Sequence, residues 1–132
     1  MMDAAALEDL FGPFARVALK RMFSGYGVYV GNACFAVAVD GGLYIKVDDE
    51  AERAALQAAE ARPFAYTRSD GKMIAVASFL SLPEEAFDDE DALRRWCAPA
   101  LAAAQRSAAE KARKLTLARE KAGGAQRKQA LR

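Results

Sequence analysis

The sequence of 132 residues contains no histidine and only two cysteines. Each shortage removes a class of chemistry. Without histidine, the commonest general base and the commonest metal ligand are both missing. Cys34 and Cys97 lie far apart and neither has a partner at C-x-x-C spacing, so a structural zinc site lacks its ligands. Both sit among apolar neighbours and read as small buried hydrophobes. Ser24, Ser69, Ser78 and Ser81 have no evident activating partner, which a hydroxyl nucleophile needs. The expectation is a chain with no catalytic residue, no cofactor and no metal. No apolar run approaches the roughly 18 residues that span a bilayer, and the N-terminus carries Asp3, Glu8 and Asp9 in place of a basic signal-peptide region. A soluble, cytoplasmic protein without a membrane partner is expected.

Two features imitate functional motifs. Gly25-x-Gly27 lacks the third glycine, the Lys-Ser/Thr pair and the following helix of a phosphate loop, so its glycines are expected to serve a positive φ or a close approach. The acidic run Glu84, Glu85, Asp88, Asp89, Glu90 and Asp91 lacks calcium-loop spacing and suits helix starts, where carboxylates meet the positive end of the dipole.

What is present begins with uneven charge. Residues 1–105 hold 10 Lys and Arg against 16 Asp and Glu, a net −6. Residues 106–132 hold 9 against 2, a net +7. Such asymmetry suggests an acidic partner or nucleic acid. The candidate contacts are Lys111, Arg113, Lys114, Arg119, Lys121, Arg127 and Lys128. The alternative is a solvated Ala/Lys/Arg helix.

Asp3 is placed to cap a helix carrying Leu7, Leu10 and Phe11, which Gly12-Pro13 ends. Phe14 to Met22 fits neither period well, with a strand favoured near Val17–Met22. Tyr26–Val30 and Ala33–Val39 read as strands about a Gly31-Asn32 hairpin. Alternation sets Phe35, Val37 and Val39 on one face and Cys34, Ala36 and Ala38 on the other. Both faces are apolar, so this strand is expected to be central and covered on both sides. Asp40-Gly41-Gly42 turns into a strand with Leu43, Ile45 and Val47 inward. Asp49 and Glu52 form a capping box for a helix to about Ala61, stopped by Pro63. Strands follow at Phe64–Thr67 and Met73–Leu80, about a turn at Ser69–Lys72. Ala75 and Ala77, sharing a face with Met73 and Phe79, are expected to join Ala36 and Ala38 as a shallow helix-packing surface. Ser81 to Glu84 reads as a capping box, and Asp88 or Asp89 as the cap of a further helix carrying Leu93, Trp96, Cys97, Ala100 and Leu101. Trp96 is expected to anchor that helix on the sheet. Pro99 should kink or restart it, and Gly123-Gly124 should break the tail, whose end frays. The fold is expected to be complete by about residue 105, with 1–105 as the domain and 106–132 as a basic tail, helical and then frayed.

Arg21, Tyr26, Tyr29, Tyr44 and Lys46 are the candidate interaction residues of the sheet. Charges within strands either face solvent or edge a groove whose tyrosines supply stacking surface.

The stretches Arg21-Met22-Phe23-Ser24-Gly25-Tyr26-Gly27-Val28-Tyr29, Phe35-Ala36 and Asp40-Gly41-Gly42-Leu43-Tyr44-Ile45-Lys46-Val47-Asp48 come in this order. Pro63-Phe64-Ala65-Tyr66, Pro83-Glu84-Glu85-Ala86 and Leu93…Trp96…Ala100-Leu101 follow. Together they resemble the N-terminal domain of the TfoX/Sxy family, bacterial proteins named for regulators of natural competence, over roughly residues 5–105. Ser24 stands where the family's Met-Phe-Gly-Gly turn has glycine. The resemblance implies an α+β fold: an antiparallel sheet meander with a crossover helix and flanking N- and C-terminal helices. The family's regulators carry a second, helical C-terminal domain. Residues 106–132 are too few and too poor in large apolar side chains to build it. Three functions follow as expectations. The first is a non-catalytic regulatory or protein-interaction domain, linked through the resemblance to competence and with the transcription machinery as partner. The second is a nucleic-acid-binding accessory protein acting weakly through its tail. The third is a small-molecule binder or enzyme at the tyrosine-rich sheet.

Overall fold

The structure is a computed structural model that describes residues 3–22 and 25–130, with side chains to residue 122. The elements run α1 (Ala4–Phe11), β1 (Ala18–Met22), β2 (Gly25–Val30), β3 (Ala33–Val39), β4 (Gly42–Lys46), α2 (Glu50–Ala58), β5 (Pro63–Thr67), β6 (Met73–Ser81), α3 (Glu85–Asp88) and α4 (Glu90–Ala130). The strands form one antiparallel sheet in the order β1-β2-β3-β4-β6-β5. The first four make a meander, and α2 carries the chain across to the β5–β6 hairpin. This is the α+β architecture that the residue pattern predicts.

Local chemistry sets the boundaries. The Asp3 carboxylate accepts from the Ala6 N–H at 2.9 Å and starts α1. Asp49 does the same for the Glu52 N–H at 3.1 Å and starts α2. Asp40 and Gly41 both have positive φ, 52° and 79°, which is the two-residue turn whose twist matches a hairpin. Asp89 Oδ1 accepts from Asp91 and Ala92 and opens α4, deciding between the two candidate caps.

All four helices lie on one side. Leu7 and Phe11 of α1, Leu56 of α2, Ala86 of α3, and Leu93, Cys97, Ala100 and Ala104 of α4 share one core with Val28, Phe35, Ala36, Ala38, Leu43 and Ile45. The α4 residues follow at intervals of four, three and four, a narrow stripe on one helix face. Ala36 and Ala38 under it let the backbone of α4 approach β3 closely. Phe35 meets Phe11 edge-on at 5.3 Å and Phe14 at 5.6 Å.

A bulge corrects the expected facing of β3. Tyr26, Gly27 and Val28 pair with Ala38, Val37 and Ala36, but Tyr29 pairs with Cys34, leaving Phe35 as the extra residue. A bulge places two residues opposite one and interrupts alternation. Phe35 therefore joins Ala36 and Ala38 on the helix side, while Cys34, Val37 and Val39 face away. A second irregularity between β5 and β6 sends Phe79 to that opposite side with Val76, away from Ala75 and Ala77. Those two alanines are exposed, like Met73 at 74%, so they carry no helix. The far side of β3 is not covered by a helix either, contrary to the expectation from its apolar character.

Other expectations need correction. Ser81 does not cap a helix: it ends β6, and its Oγ accepts from the Arg62 N–H at 2.8 Å, pinning the start of β5. The helix expected to reach Ala61 ends at Ala58, where Glu60 takes a left-handed φ of 65° and the Ala61 N–H reaches back to the Leu56 carbonyl at 2.9 Å. Proline does not stop it. α4 runs through Pro99 and Gly123-Gly124 without a break. Trp96 is half-buried: it packs against the helix-side core, and its Nε1 donates to Glu85 Oε1 at 2.9 Å, tying α3 to α4. Cys97 is fully buried, but Cys34 is only half-buried. The Phe23-Ser24 turn and the expected fraying at residues 131–132 lie outside the described residues.

Candidate functional site

The side of the sheet away from the helices carries a compact apolar patch. Val37, Val39 and Phe64 are 4%, 5% and 5% exposed, although no helix residue belongs to their cluster. They are sheltered by Met22, Tyr44, Tyr66, Val76 and Phe79 lying over them. Tyr44 and Phe64 rings sit 5.2 Å apart, and Phe64 and Tyr66 rings 6.0 Å apart. Aromatic side chains are large enough to shield β-branched neighbours in this way.

Backbone proximity allows this packing. A Cβ on Gly25 would lie 1.7 Å from the Ala38 carbonyl oxygen, and one on Gly27 would lie 2.9 Å from the Tyr29 ring. Both glycines serve close approach, and Gly27 leaves room for Tyr29 to lean across β2.

A cavity of about 390 Å³ opens on this side. Val37, Phe64, Val76 and Phe79 form its apolar wall, and Tyr29, Asn32, Cys34 and Lys46 its polar part. Ala104, Ser107, Ala108 and Lys111 of α4 line it where the helix passes the strand ends. Burial raises the Cys34 thiol above its ordinary value, against hydrogen bonds from its surroundings that lower it. Burial also raises the Tyr29 hydroxyl, with Cys34 across the ladder adding to the effect. Both groups are therefore neutral near pH 7, and the Cys34 Sγ donates weakly to the Ala36 carbonyl at 3.4 Å.

Of the five sheet candidates, the fold brings Tyr29, Tyr44 and Lys46 to this side. Arg21 and Tyr26 do not join them. Tyr26 packs against the helix-side core, with the Arg21 guanidinium 5.7 Å from its ring. Sequence reasoning missed Lys20, whose ammonium stands 4.6 Å over Tyr29, and Phe79, 5.2 Å from the Lys46 ammonium. It also missed Phe64, Tyr66 and Cys34. Alternation in β5 pairs Phe64 with Tyr66, a readable signal; the two bulges hid Cys34 and Phe79.

A second cavity, about 500 Å³, lies between α2 and α4 and is lined by Lys46, Asp48, Asp49, Glu52, Trp96 and Arg106 among others. Three of its charges already have structural work. Arg106 donates from Nε to Asp48 Oδ2 at 2.9 Å and from Nη2 to the other oxygen; these bonds hold the Asp48 carboxyl below its usual range. Asp49 caps α2.

The tail candidates lie on a helix that leaves the sheet. Ala104 is the last fully buried residue of α4 among those described, Ala108 is half-buried, and residues 109–122 are exposed. Lys111 reaches the smaller cavity. Arg113 donates to Glu110 at 2.7 Å. Lys114, Arg119 and Lys121 are exposed and make no ion pair among the described residues. The side chains of Arg127 and Lys128 lie outside the described residues. Among the described residues, no cluster of acidic or thiol groups has the makings of a metal site, and no helix is long and apolar enough to cross a membrane.

The model of the TfoX N-terminal domain matches residues 9–104. The chain belongs to the TfoX N-terminal domain family. The match takes in every strand, all of α2 and α3, and the part of α4 that packs on the sheet. The curated proteins compared with the chain give no match.

Proposed function

We propose that this TfoX N-terminal domain is a non-catalytic regulatory module that binds a protein partner through the projecting half of α4. The transcription machinery of competence is the setting that the family points to. The supporting observation is the course of one helix stripe. Leu93, Cys97, Ala100 and Ala104 cover the sheet; half-buried Ala108 extends the stripe, Lys111 interrupts it, and Leu115, Ala118 and Ala122 resume it at helical spacing in solvent. Leu115 is 54% exposed. A stripe that is core at one end and bare at the other suits a helix completed by a partner. The basic residues beside it favour a partner surface rich in carboxylates, which would also steer encounter.

Nucleic acid is the second reading, favoured by Lys114 and Lys121, which lie seven residues apart and make no ion pair among the described residues. An apolar stripe has no use against phosphates, so the protein reading stands first. The experiment is an affinity capture from native extract with the full chain, with and without nuclease, beside Leu115→Asp. A stoichiometric partner that survives nuclease and is lost with Leu115→Asp is the expected result. Capture that disappears with nuclease and is indifferent to Leu115 replaces this reading with the nucleic-acid one. Such binding must also weaken steeply with salt.

A further inference from the structure

The geometry points to the open-side cavity as a binding site for a small carboxylic acid with an aromatic or branched aliphatic body. Size comes first. About 390 Å³ is near the low end of small-molecule sites, which run from about 300 to 1,000 Å³. One compact molecule fits, and a folded partner does not enter.

The wall sets the body of the ligand. Val37, Phe64, Val76 and Phe79 present branched aliphatic and ring surface, which favours apolar contact and ring stacking. Charge sets the head group. Among the described residues, the ionic side chains lining the cavity are Lys46 and Lys111, with no carboxylate beside them in the lining. This occurs in a body whose net charge is −6 over residues 1–105, with 16 acidic against 10 basic side chains. Lys46 is half-buried, and its ammonium faces the Phe79 ring at 5.2 Å. Among the described residues it makes no ion pair or hydrogen bond. Asp48 feels its charge through space but is itself held by Arg106. A half-buried cation held against a ring, with no carboxylate at ion-pair distance among the described residues, is complementary to an incoming anion. Tyr29, Asn32 and Ser107 stand in the same lining and supply donors for the second carboxylate oxygen. Ser107 and Lys111 belong to α4 at the root of its projecting half, so an occupant touches sheet and helix together.

The test uses the full chain and a panel of aryl- and branched alkyl-carboxylates, including 4-phenylbutyrate and 4-methylpentanoate, each beside its uncharged amide. Two quantities are read: the melting temperature, and the rate at which a thiol reagent modifies Cys34, which lines the cavity. Each rate is taken as a ratio with and without ligand, because lysine substitution alters the thiol itself. Acids of the panel raise the melting temperature and slow Cys34 modification, and the amides bind about fivefold more weakly, the size of one partly exposed ion pair. Lys46→Gln brings acid and amide together while leaving the ligand-free melt cooperative. Lys111→Gln, at an exposed helix position, also lowers acid affinity. The inference is overturned if no acid protects Cys34 at millimolar concentration, if acid and amide protect equally in the unsubstituted chain, or if both lysine variants bind the acid unchanged.

Discussion

The two sides of the sheet are built from the same strands and bury their residues by different means. On one side four helices lay leucine, alanine and cysteine side chains and one phenylalanine over Val28, Phe35, Ala36 and Ile45. On the other, Val37, Val39 and Phe64 reach nearly the same burial in a cluster whose described members all come from strands. The first side excludes water through secondary structure, and the second through side chains packed against one another. A single side chain can move; a docked helix cannot without losing its whole stripe. The covered side therefore suits stability and the open side suits a ligand. The difference also shows that a buried valine in a central strand is not evidence for a helix above it.

The sharpest test of that contrast is Phe35→Ala. Phe35 is fully buried between Phe11 and Phe14 on the covered side. Removing a buried phenyl ring costs about 3–5 kcal/mol, measured as a lower urea midpoint. A loss under about 1 kcal/mol, well below the ordinary cost of such a cavity, would mean that the helix layer is loosely packed and that the comparison fails.

The two thiols divide the same way. Cys97 is fully buried under α4, and burial pushes its thiol up to about 12 from 9.0. Between those values the folded chain keeps a proton that the unfolded chain has released. Stability is therefore intact below pH 9 and falls as pH rises through the window, by up to about 1.4 kcal/mol per pH unit. Cys97→Ala should flatten this alkaline slope while lowering the plateau for lost packing. Unfolding midpoints measured from pH 8 to 11 on both chains decide it, and equal slopes would remove Cys97 as the cause. Cys34, half-buried at the open cavity, should react with a thiol reagent in the native state, whereas Cys97 should wait for unfolding.

Phe79→Ala is the counterpart of Phe35→Ala on the open side. Phe79 is half-buried, so the expected cost is about 1–2 kcal/mol from the apolar area it removes from water. A cost equal to that of Phe35→Ala would make the two sides energetically alike.

Much of this was legible in the sequence. Capping carboxylates at Asp3 and Asp49 and the Asp40-Gly41 turn carry their geometry in their own side chains and backbone, so local reading places them. The bulge at Phe35 is different. It arises from pairing between β2 and β3, and neither strand alone reveals which residue is extra. Strict alternation therefore misassigned Phe35 and concealed Cys34. Ser81 fits a capping box by its spacing, but its hydroxyl is taken by Arg62, nineteen residues earlier, and only tertiary structure makes that choice. The candidate site was half visible: Tyr29, Tyr44 and Lys46 were named from one meander, whereas Phe79 and Lys111 arrive from elements much later in the chain. Pro99, expected to kink or restart α4, does not restart it, because tertiary packing of the stripe on either side outweighs a local preference.

The smallest effect concerns how the covering layer is finished. α2 contributes Leu56 to the covered core and then ends with Glu60 at a φ of 65°. The Glu60 N–H returns to the Gln57 carbonyl and the Ala61 N–H to that of Leu56, a helix end in which glycine is the usual residue. An L-residue in this conformation carries about 1–2 kcal/mol of steric cost, while glycine gives up part of that gain through the freer unfolded chain, about 0.4–1 kcal/mol. Glu60→Gly should therefore stabilise the fold by about 0.5–1 kcal/mol, the difference between those two terms. A carboxylate at a helix C-terminus is also unfavourable, so Glu60→Gln serves as the control that removes charge and retains the strained backbone. Urea midpoints should rank Gly above Gln, and Gln at or slightly above the original residue. Equal gains from Gly and Gln would assign the effect to charge. A loss with Gly would mean that the Glu60 side chain, not its backbone, completes the helix layer.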